Sequence, residues 1–221
     1  MILEDIKKYA HDCINDVYVS EYEDYISCEA HKWACQRFLR DLERSENDAT
    51  CWFYWDEEKA QSIYDWFTLL RHSKGELSGT PIYLNPWQKF AICQLYGWRR
   101  KDNHRRRFKR SFFELSRKNG KSQAESGISL YEASVTATEN NEVAEIYTAG
   151  TKREQSKIVF EECKLMLRGS PLQTKFRCTT SAVTHVKTGS FIKPLSREDG
   201  RNGDGTNPAL LVLDSRLTCR V

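Results

Sequence analysis

A segment at residues 116–122, SRKNGKS, holds the residue types that bind a phosphate group. Backbone N–H groups of a tight turn that opens a helix face an anion there, and the Lys121 ammonium adds a positive charge toward the β- and γ-phosphates. The Ser122 hydroxyl is the group that contacts Mg²⁺ in such a loop. Gly120 suits the turn, because a Cβ at this position would hold the backbone away from the phosphate. The segment therefore predicts a phosphate-binding loop.

The segment departs from the full pattern at its start. The pattern G-x-x-x-x-G-K-[ST] places a glycine at position 115, where this chain has Leu115. A Gly-Lys-Ser triplet also occurs by chance in basic proteins, so the interpretation depends on the features that accompany it.

Asp214 is the second residue that could act on a nucleotide. It directly follows an uninterrupted apolar run at residues 209–213, ALLVL, which is typical of a strand buried on both faces. A carboxylate at the C-terminal end of a buried strand can hold Mg²⁺ through the water shell of the ion. An aspartate after a strand is otherwise an ordinary turn residue, and the Gly-Lys-Ser triplet earlier in the chain favours the metal-binding role.

The elements that must position these residues predict an α/β protein. The apolar residues 112–115 predict the strand before the phosphate loop, and the spacing of apolar residues from Gln123 onward predicts the helix after it. Further predicted elements are a strand at 143–148, a helix at 154–168 and strands within 176–195 that turn at 187–189. Because strands and helices alternate, we expect a parallel sheet.

The N-terminal part of the chain is predicted to be helical. Apolar residues recur at spacings of three and four in 22–44 and in 56–71, with Asp56 as the N-cap of the second helix. Residues 75–81 form the first linker, and Pro86 suits the first turn of a third helix.

Charge is distributed unevenly along the chain. Residues 1–80 hold 17 acidic and 9 basic side chains, whereas residues 81–221 hold 14 acidic and 25 basic ones. Eight lysines and arginines lie in 99–110, a segment that is either a solvated loop or a contact surface for DNA or nucleotide. The C-terminal part is therefore the part expected to meet an anionic partner.

Composition excludes several classes of protein. No apolar run approaches the roughly 20 residues that span a bilayer, and the N-terminus lacks the features of a signal peptide. We therefore expect a cytoplasmic protein without a membrane partner, in which the eight cysteines are reduced thiols. Cys28, His31 and Cys35 share a helix face, as metal ligands can, but no fourth ligand is evident, and we interpret them as packed side chains.

Five ordered segments make the chain resemble the large terminase subunit of tailed bacteriophages, of the HK97-like type. The segments are ACQRFLRDLE at 34–43, LNPWQKF at 84–90, SRKNGKS at 116–122, TAGTKREQ at 148–155 and DGTNP at 204–208. Together they extend from about Tyr25 to Asp214. Loops of this family typically replace the first glycine and carry an early basic residue, which agrees with Leu115 and implies that Arg117 faces a phosphate.

The resemblance implies a fold and an activity. The implied fold is a P-loop NTPase domain of the additional-strand, RecA-like class, with an incomplete parallel sheet preceded by a helical N-terminal region. The implied domains are the helical region at 1–80, a partial P-loop ATPase domain at 81–214 and a divergent tail at 215–221. The implied activity is that of a motor that uses ATP and Mg²⁺ to drive viral DNA into a preformed capsid.

The resemblance also implies a role for individual residues. Gln88 would bind the adenine edge, where an amide can both donate and accept, although it could equally be an ordinary amide on a helix surface. The implied phosphate and metal contacts are Arg117, Lys118, Asn119, Gly120, Lys121, Ser122 and Asp214. Arg201, or after it Arg197, would reach the nucleotide of a neighbouring subunit and balance transition-state charge. The implied partners are double-stranded viral DNA, the terminase small subunit, the portal protein and further copies of the chain in a ring.

The chain departs from the family at position 215. The family has a glutamate there that activates the attacking water, whereas this chain has Ser215, whose hydroxyl cannot act as a base near neutral pH without an activator. We therefore expect ATP hydrolysis to be severely impaired even where nucleotide binding survives. In the family, a further strand, the coupling motif and the nuclease domain follow this motif, so we expect a chain truncated within the ATPase domain.

Other functions remain open from the sequence. A nucleotide-binding module without catalysis would regulate intact motor rings, and it would bind ATP without turnover. An unrelated P-loop helicase would use the basic residues 99–110 on nucleic acid and would show turnover that DNA stimulates. A remnant without function would fold poorly and respond to no ligand.

Overall fold

The computed structural model describes residues 1–17, 27–113, 115, 119–150, 153–195 and 207–213. The chain folds into two compact units. The first unit comprises Met1–Trp66 and Tyr83–Phe112, and the second comprises Phe67–Ile82 and Phe113–Val221. The domain boundaries at 80 and 214 that the sequence suggests stay predictions.

The first unit is mainly helical. Its elements are α1 (Ile2–Ile14), α2 (Glu29–Asn47), β1 (Phe53–Trp55), most of α3 (Glu57–Leu69), α4 (Pro86–Gly97) and β2 (Trp98–Arg100). The helices predicted at 56–71 and after Pro86 are confirmed. The helix predicted at 22–44 corresponds to α2 in its later part, and its predicted start lies outside the described residues.

Local side-chain contacts explain where two of these helices begin. The Asp56 carboxylate accepts a hydrogen bond from the Lys59 N–H at 3.1 Å, which is the N-cap contact predicted for α3. Helix α4 begins with a capping box, in which Asn85 and Gln88 each accept the backbone N–H of the other at 3.1 Å. Pro86 occupies the first turn of α4, where its missing N–H has no consequence.

Aromatic side chains form the core of the first unit. Strands β1 and β2 pair antiparallel and bring Trp55 beside Trp98, with ring centroids 5.3 Å apart in an edge-to-face arrangement. Phe38 of α2 packs against the same two rings at 5.7 and 6.1 Å. A Cβ added at Gly97 would lie 2.7 Å from the Trp55 ring, so this close packing requires glycine.

The second unit is an α/β structure. Its helical elements are α5 (Lys121–Tyr131), a π-helical turn (Glu132–Thr136), α6 (Ala137–Glu139), α7 (Arg153–Leu167) and a 3₁₀ turn (Gln173–Lys175). Its strands are β3 (Glu145–Ala149), β4 (Phe176–Cys178), β5 (Val183–His185), β6 (Phe191–Pro194) and β7 (Pro208–Leu213). The strand order is β4-β5-β6-β3-β7, in which β6, β3 and β7 run parallel and β4 and β5 pair antiparallel. The predicted α/β fold is confirmed, and the parallel part of the sheet consists of β6, β3 and β7.

Small residues let α5 pack closely against its neighbours. The Ser126 hydroxyl donates to the Val159 carbonyl of α7 at 2.9 Å, which holds these two helices together. A Cβ added at Gly127 would lie 2.2 Å from the Phe67 ring, a distance that no real Cβ contact reaches. Helix α5 is the helix predicted after the phosphate-binding loop, and the helical segment continues through the π-helical turn and α6.

Two strand predictions were wrong. Residues 111–113 and 115 do not form a strand, and Phe112 is 73% exposed. No strand in the described part of the chain pairs with these residues, and an apolar segment without a ladder partner has little to hold it extended. Strand β7 was predicted to be buried on both faces, yet Leu211 is 46% and Leu213 is 63% exposed. The reason is that β7 is the edge strand of the described sheet, with β3 as its neighbour.

Candidate phosphate-binding site

Helix α5 begins directly after a glycine in an unusual backbone conformation. Gly120 is the N-cap and lies in the left-handed region, with φ 71° and ψ 15°. Glycine adopts this conformation without the steric strain that a Cβ would introduce. The sequence therefore identified a position that suits glycine, and the helix predicted after it is confirmed. Residues 116–118 of the predicted loop lie outside the described residues.

The first turn of α5 presents donors toward the space beyond its N-terminus. The first intrahelical hydrogen bond runs from the Ala124 N–H to the Gly120 carbonyl at 2.9 Å. The N–H groups of Lys121, Ser122 and Gln123 therefore precede the hydrogen bonds of the helix itself. Together with the positive end of the helix dipole, these groups form an environment that suits an anion.

The side chains predicted to contact phosphate and metal are partly described. Lys121 and Ser122 are both half-buried at the start of α5, and Asn119 is exposed. The remaining predicted site residues lie outside the described residues: Arg117, Lys118, Arg197, Arg201, Asp214 and Ser215. Their roles therefore stay predictions.

The parallel strands β3 and β7 have their carboxyl ends side by side, and this is the part of a sheet where ligands of α/β proteins bind. Ala149 at the end of β3 pairs with Leu213 at the end of β7. A Cβ added at the next residue, Gly150, would lie 2.7 Å from the Cβ of Gln155, so Gly150 approaches the first turn of α7 closely. Ligands in open parallel sheets bind at the carboxyl ends of the strands, which makes this edge the place to expect a nucleotide.

Three side-chain contacts of α5 and α7 had no signal in the sequence. Gln123, in the first turn of α5, lies with its side-chain amide 3.2 Å from Nδ1 of His72. Burial lowers the pKa of His72, so the neutral ring can accept this hydrogen bond. Glu162 of α7 accepts a hydrogen bond from the Ser73 hydroxyl and pairs with Lys74 at 3.7 Å. These contacts join residues far apart in the chain, and no motif marks them.

Gln88 belongs to the first unit and has a defined local environment. It is 8% exposed, so it is not the helix-surface amide that the sequence allowed as an alternative. Its Oε1 accepts the Asn85 N–H at 3.1 Å, which fixes the orientation of the amide. Its predicted contact with adenine stays a prediction.

The basic segment at 99–110 divides into two groups of residues. Arg107 forms an ion pair with the buried Asp41 at 2.8 Å and lies 3.6 Å above the Phe53 ring. Arg100 pairs with Asp102 at 2.7 Å, and Arg106 lies over the Tyr96 ring. The exposed basic residues are Lys101, Arg105, Lys109 and Arg110. Part of the positive charge therefore stabilises the first unit, and only the exposed group is available to an anionic partner.

The α/β fold, together with Gly120 as the N-cap of α5, identifies the protein as one with a P-loop NTPase fold. The chain belongs to the family of the terminase large subunit, ATPase domain, whose family model matches residues 86–218.

Among solved structures, the fold is similar to the crystal structure of the HK97 bacteriophage large terminase, with a TM-score of 0.55 and 25% sequence identity. The match covers 70% of this chain and 30% of that terminase, so the chain spans about a third of its length. No curated protein matches the chain. None of the helices in the described part of the chain has the length and apolarity that a membrane span requires.

Proposed function

We propose that the chain is the nucleotide-binding part of a DNA-packaging motor and that it binds Mg-ATP at the start of α5. The observation that carries the proposal is the left-handed Gly120 directly before Lys121 and Ser122 at the N-terminus of a helix. The N–H groups of the first turn would bind the phosphates, and the Lys121 ammonium would neutralise part of their charge. The Ser122 hydroxyl is an oxygen donor of the kind that Mg²⁺ prefers.

A thermal-shift titration with Mg-ATP tests this proposal. A ligand that binds only the native state stabilises it by about 2.7 kcal/mol at a concentration 100 times the Kd. We expect a saturable rise in melting temperature for the chain and none for Lys121→Ala. The control is Lys157→Ala, which replaces an exposed lysine on α7 and should keep the full rise. A wild-type chain that shows no rise would contradict the proposal.

Gln88 is proposed to recognise the adenine base. Its Oε1 uses one lone pair for the capping box, and its side-chain NH₂ can donate to the adenine N7 while the second lone pair accepts from N6. Gln88→Glu keeps the capping-box acceptor but removes the donor. We expect this variant to fold normally and to lose its preference for ATP over GTP. An unchanged preference would show that Gln88 acts only as a helix cap.

Hydrolysis is proposed to be impaired in this chain. The proposal rests on the sequence, in which Ser215 occupies the position of the activating glutamate. We expect Mg-ATP binding without measurable turnover and a gain of turnover in Ser215→Glu. Turnover by the wild-type chain that Lys121→Ala abolishes would contradict this proposal.

The partners follow from the proposed motor. Double-stranded viral DNA would contact the exposed basic residues of 99–110, and the terminase small subunit and portal protein would bind the assembled motor. Copies of the chain would form a ring in which Arg201 or Arg197 reaches the neighbouring nucleotide. Because phage DNA and capsid precursors occur in the bacterial cytoplasm, we propose that the protein acts in the cytoplasm of the bacterial host.

A regulatory nucleotide-binding module is the second candidate function, and Ser215 is the observation that favours it. A chain that binds ATP without turnover and slows packaging by intact motors would support this alternative. The family match decides against an unrelated helicase.

A further inference from the structure

Three metal-ligating side chains of the first unit meet outside the phosphate-binding site. Cys13 lies near the end of α1, and His31 and Cys35 lie one turn apart on α2. One donor atom from each residue lies within 4.8 Å of the other two. Residues four apart share a helix face, and the packing of α1 against α2 brings Cys13 to that face.

The cluster is shielded but remains accessible from one side. Cys13 is 1% exposed and Cys35 is fully buried, whereas His31 is half-buried. The sulfur atoms of Cys13 and Cys35 lie within 4.8 Å of each other. The partly exposed imidazole provides a path by which an ion could enter.

Neighbouring side chains orient the His31 ring. The Tyr9 hydroxyl lies 2.9 Å from Nε2 of His31 and fixes the orientation of the ring. The Phe90 ring packs against the His31 ring with centroids 5.6 Å apart. Ordered imidazoles with a hydrogen-bonded ring nitrogen are typical of metal ligands.

We propose that Cys13, His31 and Cys35 bind a Zn²⁺ ion, with water as the fourth ligand. Two thiolates and an imidazole suit Zn²⁺, which prefers sulfur and nitrogen donors in tetrahedral geometry. The thiolates balance the charge of the ion, so a neutral centre replaces two buried thiols. With metal–ligand distances of about 2.0–2.3 Å, the donors need to move inward by only about 1 Å. The ion would link α1 to α2.

The structure brings together a different set of side chains from the one that shares a helix face in the sequence, which we interpreted as packed side chains. Cys28 shares the helix face of His31 and Cys35 in the sequence pattern, but it is exposed at the start of α2 and does not belong to the cluster. Cys28→Ser is therefore a matched control, since it removes one thiol of the same helix and leaves the proposed site intact.

Cobalt titration of the full-length, tag-free chain tests the proposal. The chain is stripped with a chelator, kept reduced, and all thiols are counted as free before the titration. We expect one equivalent of Co²⁺ to produce the thiolate charge-transfer band and tetrahedral visible bands, and Zn²⁺ to abolish them. Cys28→Ser should give the wild-type spectrum, whereas Cys35→Ser should lose most of the charge-transfer intensity.

A second measurement keeps the test decisive where a variant folds poorly. Zn²⁺ should raise the melting temperature of the wild-type chain and of Cys28→Ser, and a chelator should reverse the rise. His31→Gln, which removes no thiol, should show a smaller rise and weaker Co²⁺ binding. A reduced wild-type chain that gives no cobalt bands would overturn the proposal, and so would equal loss of the bands in Cys28→Ser and Cys35→Ser.

Discussion

The two units place their functional groups in different ways. In the first unit, side chains from distant elements hold one another, as Arg107 does with Asp41 and Cys13 does with the residues of α2. In the second unit, the candidate site consists of consecutive residues at the start of one helix, arranged by Gly120. Sites of the first kind depend on the packing of a whole unit, whereas a site of the second kind depends on the conformation of one short segment.

Among the tests of this comparison, the replacement of Arg107 by alanine is expected to have the largest effect on stability. The change leaves the buried Asp41 carboxylate without its partner, and breaking a buried ion pair costs about 3–5 kcal/mol. All six tryptophans lie in the first unit, so their fluorescence reports its unfolding. We expect the denaturant midpoint of the tryptophan signal to fall strongly.

Arg105→Ala, at an exposed position, is the control and should change stability by less than about 0.5 kcal/mol. Equal midpoints for the two variants would show that the Arg107 pair does not stabilise this unit.

Gly127→Ala should destabilise the second unit by overpacking. The added Cβ would meet the Phe67 ring, and overpacking of a core typically costs about 1–3 kcal/mol. We expect faster hydrogen exchange in peptides of α5, with a smaller change in the tryptophan midpoint. Phe67→Leu gives the new methyl group room, so in the double variant the effect of Gly127→Ala should shrink. Purely additive effects would contradict the predicted clash.

Gly120→Ala should separate the function of the phosphate-binding segment from its contribution to stability. An alanine in the left-handed region costs about 1–2 kcal/mol, and the strain would move the N–H groups away from the phosphate. We expect a modest loss of stability and a complete loss of the melting-temperature rise with Mg-ATP. Gly169→Ala is the matched control, because Gly169 also has a positive φ, of 67°, and an added Cβ there meets no atom within 4 Å. It should lose similar stability and keep the nucleotide response. If Gly120→Ala kept the rise in melting temperature with Mg-ATP, the nucleotide would not bind at the start of α5.

Much of the second unit could be predicted from the sequence. Alternating apolar segments gave the helices and the parallel strands, because the period of the apolar residues distinguishes the two kinds of element. Burial of those strands could not be predicted in the same way. The run ALLVL has the composition of a central strand, yet β7 lies at the edge of the described sheet, because burial depends on which strands become neighbours.

The interpretation of the basic segment shows the same limit. Eight basic residues in a row of twelve predict a region of high positive charge, and the exposed residues agree with that. The sequence gives no indication that Arg107 forms an ion pair with Asp41 and lies over the Phe53 ring. Such pairing is decided by the position of α2 beside β1 and β2.

The sequence by itself predicted the candidate phosphate-binding segment, the helix that follows it and the family to which the chain is similar. These features are local: a glycine that accepts a positive φ, a lysine and a serine in the first turn, and the periodic spacing of apolar residues all act within a few positions of one another. Only the tertiary structure decided that Cys13, and not Cys28, joins His31 and Cys35. The physical reason is that contacts between distant residues arise from the packing of whole helices, and the spacing within any one segment carries no information about them.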